Sequence, residues 1–402
     1  MKRIIESLYT IAVLLSPALA VYEFLPGTPL GAFVLLMFSL LYFLSHGLTT
    51  LSRDNFFLFA VVCGLTIVEM ICNLFSGSLW FDYSLMAHNL YGISLCFFPL
   101  VVASKGVNVK LLIRGLFLLG ALASVVIIWQ RVTLILTGSF EANVFLPWFE
   151  IRRSISSFSI SRPCAFFTEP AHFCIFMLPI LYVALLCRNY IYLGFFIFAV
   201  FCSGSTTGFL AVIILVAYYV FQNSVARNRW RNFAMIIMIS AILFLLILVY
   251  IPSIILQNVD KLQEVDSNST TLRTVGYLSY FINFDLFEAL FGVTLNQLAN
   301  YLHYKFGINE VYNYSNAIIY MLLSYGILGA LYFVWYLRRL WVNTCSSKGF
   351  VIVFIAILAS DQILFNMHFL YLATLAMMSD KISCCLNKNT NMSRFLPFLS
   401  KL

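Results

Sequence analysis

Apolar runs long enough to cross a lipid bilayer recur along most of this chain. They fall at about 4–22, 29–48, 55–75, 84–104, 110–130, 165–187, 190–203, 206–222, 233–254 and 315–337. A hydrocarbon layer about 30 Å thick needs roughly 20 mostly apolar residues per helical crossing. A last apolar block, 349–379, is long for one crossing, and Ser360, Asp361, Gln362 and Asn366 interrupt it. It reads as two short helices joined by a turn. The expected fold is therefore all-α: a polytopic integral membrane protein with about 12 transmembrane helices, residues 1–402 forming a single membrane domain. Composition agrees, with 62% hydrophobic and 10% charged residues, where soluble proteins carry about 25% charged. Ile4–Val21 reads as a first span rather than a cleavable signal, being too apolar and too soon followed by another run.

Basic residues orient this layout. With both termini in the cytoplasm, 17 of the 24 Lys and Arg residues lie on the inner side and seven on the outer, as the positive-inside rule requires. The net charge of +8 belongs to that rule and gives no reason to expect a nucleic acid partner. Two outer loops are long, at about 131–164 and 255–314, and every inner loop is short. Any chemistry is thus expected on the outer loops and the helix ends beneath them. Within the second loop, Leu272–Phe291 is rich in Leu, Phe and Tyr and reads as one helix lying in the membrane interface. The ten cysteines form no Cys-x-x-Cys pair, so neither a zinc site nor a disulfide framework is expected.

Four constellations carry the chemical expectations. The first is Arg162-Pro-Cys-Ala-Phe-Phe-Thr-Glu169-Pro170-Ala-His172. Pro170 suits the first turn of a helix. Glu169 and His172, three apart, share a helical face, and a carboxylate at the membrane boundary is costly enough to suggest function. A plain helix-capping role for Glu169 is the competing reading. The second is an outer arginine set, Arg152, Arg153, Arg162 and Arg273. Guanidinium groups bind diphosphates bidentately and stay charged, although lipid headgroups would satisfy them too. The third, Ser203-Gly-Ser-Thr-Thr-Gly208, reads first as a tight turn between closely packed helices and second as a backbone anion site. The fourth is Tyr312-Asn-Tyr314-Ser-Asn316 followed by Tyr325-Gly326-Ile-Leu-Gly329; Tyr314 and Asn316 are sugar-binding candidates, with an interfacial belt as the alternative. His303 is a further candidate in the second loop. Glu69 and Asn73, four apart in an early run, read as a packing pair. Asp361 and His368 receive no role. No Asp-x-Asp pair occurs, so no metal-held nucleotide sugar is indicated.

Taken in order, Arg162…Glu169-Pro170, Ser203–Gly208, Thr271-Leu-Arg273, Leu290-Phe-Gly292, Ser315-Asn316 and Tyr325–Gly329 resemble the bacterial O-antigen polymerase (Wzy-type) family, within the wider group that includes O-antigen ligases. The resemblance covers roughly 150–340 and the topology. It departs where relatives often carry His before the Asn of the last motif, which here is Ser315. It implies a cofactor-free, metal-independent glycosyltransferase of the bacterial inner membrane. Such an enzyme moves a growing glycan from undecaprenyl pyrophosphate onto a lipid-linked repeat unit at the periplasmic face, with a separate chain-length regulator as partner. On that reading Glu169 is the general base, His172 its orienter or substitute, and Arg162 and Arg273 hold the leaving pyrophosphate beside one lipid-facing cavity. An O-antigen ligase and a lipid-linked oligosaccharide flippase remain the alternatives.

Overall fold

The computed structural model describes residues 2–25, 28–103, 106–140, 146, 148–151, 162–223, 277–307, 315–345 and 347–388. Helices occupy nearly every expected apolar run: α1 (Lys2–Leu19), α2 (Leu30–His46), α3 (Arg53–Ser76), α4 (Tyr83–Ala103), α5 (Val109–Thr137), α6 (Pro170–Leu186), α7 (Tyr190–Ser203) and α8 (Thr206–Asn223). After them come α9 (Tyr277–Ile282), α10 (Leu286–Phe291), α11 (Leu298–Phe306), α12 (Ala317–Asn343), α13 (Gly349–Ser360) and α14 (Met367–Lys388). The expected run at 233–254 lies outside the described residues. The break in the last apolar block falls at 361–366, between α13 and α14, where the polar residues stand.

Five helices among the described residues are long and apolar enough to cross a membrane: α3, α4, α5, α12 and α14. That is fewer than the crossings expected from sequence, for a physical reason. Helices α2, α6, α7, α8 and α13 are apolar but shorter than the roughly 20 residues a full crossing takes, and α1 carries Lys2, Arg3 and Glu6 in its first turns.

The described residues are mostly helical, as expected; finer expectations are corrected. A small sheet stands beside the helices, Tyr22–Leu25 pairing antiparallel with Thr28–Pro29 on one side and Glu150–Ile151 on the other. The first run therefore ends as helix at Leu19 and turns into a strand that pairs with Glu150–Ile151, between α5 and α6. Helix α5 runs on to Thr137, so Arg131 belongs to the helix and not to the loop. In place of one interfacial helix, the described part of 272–291 forms α9 and α10, separated at Asn283–Asp285.

Helix α6 is the central post. Every residue from Phe173 to Leu185 is buried, and α5, α7, α8, α13 and α14 pack around it. Small residues set these distances. A side chain at Gly120 would press on Ile180, one at Gly208 on Cys174, and one at Gly349 on Tyr182. In lipid, where apolar contact alone gives helices little reason to associate, such close approach and interhelical hydrogen bonds hold a bundle. Asn55 supplies the latter, donating to the Leu100 carbonyl at 2.8 Å and accepting from the Tyr336 hydroxyl at 3.0 Å. Helix α3 is peripheral and presents Phe56, Ile67, Ile71 and Phe75 outward.

Helix α12 breaks at Gly326, whose φ of 62° and ψ of −167° lie in a region essentially closed to other residues. Gly292, at the end of α10, has nearly the same conformation, with φ 85° and ψ −171°. The two segments lie backbone to backbone. A Cβ on Gly326 would overlap Leu290 and one on Gly292 would overlap Ser324, while the Val293 N–H donates to the Leu323 carbonyl at 3.1 Å. Two motifs 34 residues apart in sequence are thus one structural joint.

Beneath this joint Glu69 of α3 is buried, neither carboxyl oxygen has a hydrogen-bond partner, and the Thr294 hydroxyl and the Glu288 carboxyl face it. The Asn73 side chain reaches only the Glu69 backbone carbonyl, at 2.9 Å. A buried charge without a partner is costly. Glu69→Gln is therefore expected to unfold at or a few degrees above the wild-type Tm in detergent, whereas Glu69→Lys should yield little folded protein. A fall of several degrees in Glu69→Gln would contradict this.

Candidate functional site

The site is organised by two adjacent polar residues near the end of α5. Gln130 is fully buried and holds the segment leading to α6: its Oε1 accepts from the N–H groups of Cys164 at 3.1 Å and Ala165 at 2.8 Å, and its Nε2 donates to the Ala165 carbonyl at 3.1 Å. Ala165 is held at φ 54°, a left-handed conformation uncommon outside glycine. Arg131, also buried, donates through Nε to the Cys202 carbonyl at 2.8 Å. Arg162 donates through Nη2 to the Gly204 carbonyl at 3.1 Å. Two guanidinium groups therefore gather at the C-terminal end of α7, where unpaired carbonyls and the helix dipole favour positive charge.

The Ser203–Gly208 motif is the tight turn between α7 and α8. Two of its backbone N–H groups are engaged within it, Ser205 N–H with Ser203 Oγ at 3.2 Å and Gly208 N–H with Ser205 Oγ at 3.3 Å. The turn is buried against Cys174.

Pro170 opens α6, as its residue type demands, and Glu169 takes the preceding N-cap position with an extended backbone. The Glu169 side chain makes no capping hydrogen bond and is exposed. One turn along, His172 is hydrogen-bonded through Nδ1 to Thr168 Oγ1 and stacks on His368, ring centroids 4.3 Å apart and planes 24° from parallel. Burial, and secondarily the Glu169 carboxylate, push the nearby Cys164 thiol up to about 11, so it stays protonated at neutral pH and is a poor nucleophile.

His172 and His368 line a cavity of about 280 Å³ bounded by α2, α4, α6, α12, α14, Ala20 just past α1, and the turns at 295–296 and 362–366. His88 joins them, so three of the chain's five histidines share this space. Asn89, Asn296, Tyr320, Gln362 and Asn366 add amide and hydroxyl groups. Several are fixed by one another. Asn296 Nδ2 donates to Asn89 Oδ1 at 2.7 Å, the Tyr320 hydroxyl donates to Asn296 Oδ1 at 3.2 Å, and Asn89 Nδ2 donates to the Leu295 carbonyl. Among the described residues, no Asp, Glu, Lys or Arg lines the cavity. Among the described residues, no group of three or more His, Cys, Asp or Glu side chains is placed to hold a metal ion.

Of the residues expected from sequence, Arg162, Glu169 and His172 lie on one short stretch, and His172 alone of the three lines the cavity. Asn316 is buried and caps α12, its Oδ1 accepting from the Ile319 N–H at 2.9 Å. His303 is exposed on α11 and away from the cavity lining. Arg152, Arg153, Arg273 and Tyr314 lie outside the described residues. The sequence reading did not single out Gln130, His88, Asn89, Asn296 or Asn366 for the site. Their one signal is a polar side chain inside or beside an apolar run, visible in Ala87-His88-Asn89 and Trp129-Gln130-Arg131.

Fold and site together define a helical protein with, among the described residues, five helices long and apolar enough to cross a membrane and a polar, histidine-lined cavity. A scan against protein-family models finds no match, and a search of curated proteins finds none.

Proposed function

We propose that this protein is an O-antigen polymerase of the bacterial inner membrane, a glycosyltransferase that acts at the periplasmic face on undecaprenyl-pyrophosphate-linked repeat units. About 12 crossings, with both termini cytoplasmic, complete the layout. The observation that carries the reading is the cavity. Every segment lining it, from Ala20 and Pro29 to Thr168, Asn296 and His368, belongs to a helix end or turn that the charge-based layout assigns to the outer side. Its uncharged amides, hydroxyls and imidazoles match the hydroxyls of a sugar. A flippase path would instead carry charge through many spans.

In the proposed reaction the acceptor sugar hydroxyl loses its proton to Glu169, with His172 as orienter. Its oxygen bonds to the anomeric carbon of the donor glycan, and the bond from that carbon to the pyrophosphate oxygen breaks. The departing pyrophosphate gains negative charge, which fixed guanidinium groups stabilise. Arg162 and Arg273 take that role, with Arg152 and Arg153 nearby in sequence.

The test is complementation of a deletion strain, read on a gel of surface polysaccharide. Wild type should restore the ladder. Glu169→Gln and Arg273→Ala, present at normal levels, should not, since a general base contributes about 10²- to 10⁴-fold. A single core-plus-one-unit band in the deletion supports polymerase; loss of every unit-bearing band points to a ligase or flippase. An unchanged ladder in the deletion overturns the reading.

A further inference from the structure

His368 received no role from sequence, and the reaction above does not use it. It is 4% exposed, lines the cavity, and its Nε2 has no hydrogen-bond partner. A buried polar atom without a partner is costly, so such an atom in a residue that lines a cavity marks where a ligand group or water belongs. His172 covers one face of the His368 ring and is itself held by Thr168. The Asn366 side chain accepts from the backbone N–H groups of His368 and Phe369, at 2.9 and 3.1 Å, and so fixes the first turn of α14.

Charge decides what the ligand is. A diphosphate needs cationic or multiple N–H donors, and among the described residues neither Lys nor Arg lines this cavity. Two imidazoles stacked at 4.3 Å repel each other if both are protonated, which favours a neutral acceptor nitrogen on at least one of them. A neutral imidazole nitrogen accepts a hydrogen bond from a hydroxyl. We propose that the cavity binds the uncharged acceptor glycan, that His368 Nε2 accepts a hydrogen bond from one of its hydroxyls, and that His172 positions His368 by stacking. This deepens the polymerase reading and rests on it for the name of the sugar's carrier, not for the binding of a neutral glycan.

The experiment uses the full chain in lipid nanodiscs. Its probe is the free oligosaccharide repeat unit released by mild acid from the host's own surface polysaccharide, and binding is followed by saturation-transfer NMR. Wild type should bind. His368→Phe keeps the stacked ring but lacks the acceptor nitrogen, and should weaken binding about ten-fold. His368→Gln regains an acceptor oxygen and should stay within about three-fold of wild type. His172→Ala should weaken binding, and His172→Phe should recover most of it. Thermal unfolding of each variant shows whether a loss is merely structural. No binding by wild type, equal binding by His368→Phe, or equal loss in the Gln and Phe variants at unchanged Tm would each overturn the proposal. Wild-type binding beside a normal ladder in the deletion strain would instead sink the polymerase reading and leave the glycan pocket standing.

Discussion

Gly292→Val is expected to abolish the folded protein, leaving at most about a tenth of the wild-type monodisperse peak after detergent extraction. Two costs coincide. Gly292 has φ 85° and ψ −171°, where a β-branched residue is strained by about 1–3 kcal/mol. Its Cβ would also overlap the backbone of Ser324 and Tyr325. Backbone cannot repack as a flexible side chain can, so the clash must separate α10 from α12 and break the bond from Val293 N–H to Leu323. Gly326→Val should match it, because the clash there is with Leu290 and Phe291 backbone. Gly307→Ala is the control. Its φ is 67° but nothing lies near its Cβ, so it should cost only about 1–2 kcal/mol. Equal yields from the valine and control variants, measured by size-exclusion chromatography, would show that the joint is not needed for folding.

On the proposed polymerase reading, Gln130→Leu should eliminate the polysaccharide ladder in the complementation assay while much of the helical bundle survives. Leucine has similar bulk but strands two N–H groups and one carbonyl at Cys164 and Ala165. At about 1–3 kcal/mol for each buried unsatisfied group, the segment would leave its left-handed turn at Ala165. The whole stretch from Arg162 to His172 would lose its anchor. The checks are the gel ladder, Tm, and limited proteolysis, with new cleavage expected between α5 and α6. An intact ladder in well-expressed Gln130→Leu would mean that these hydrogen bonds do not set the site.

The sequence disclosed the helices far better than the site. Apolar runs announce helices because the signal is dense and local, and Pro170 marks a helix start through its own backbone chemistry. Helix ends were less legible. Arg131 looked like the start of a loop because charge ends an apolar run, but its guanidinium is satisfied inside by the Cys202 carbonyl, a partner 71 residues away. The strand at Tyr22–Leu25 was hidden for the same reason, since its mate Glu150–Ile151 lies far along the chain. The cavity draws residues from five helices and the turns between them, and no local pattern encodes that convergence. His172 was legible through its spacing from Glu169. His368, against which it stacks, was not.

The glycine joint has a consequence for how such proteins can diversify. Segments between helices are the natural place for variation, and one would think of exchanging them as cassettes. Here the segment ending in α10 shares backbone surface with the broken helix that follows it, each glycine leaving room for the other's main chain. A transplanted segment would have to bring both halves of that fit, from Leu286 through at least Gly326. Chimeras cut between Gly292 and Gly326 should fail unless the donor carries matching glycines, which makes this boundary a poor place for recombination and an informative one for chimera design.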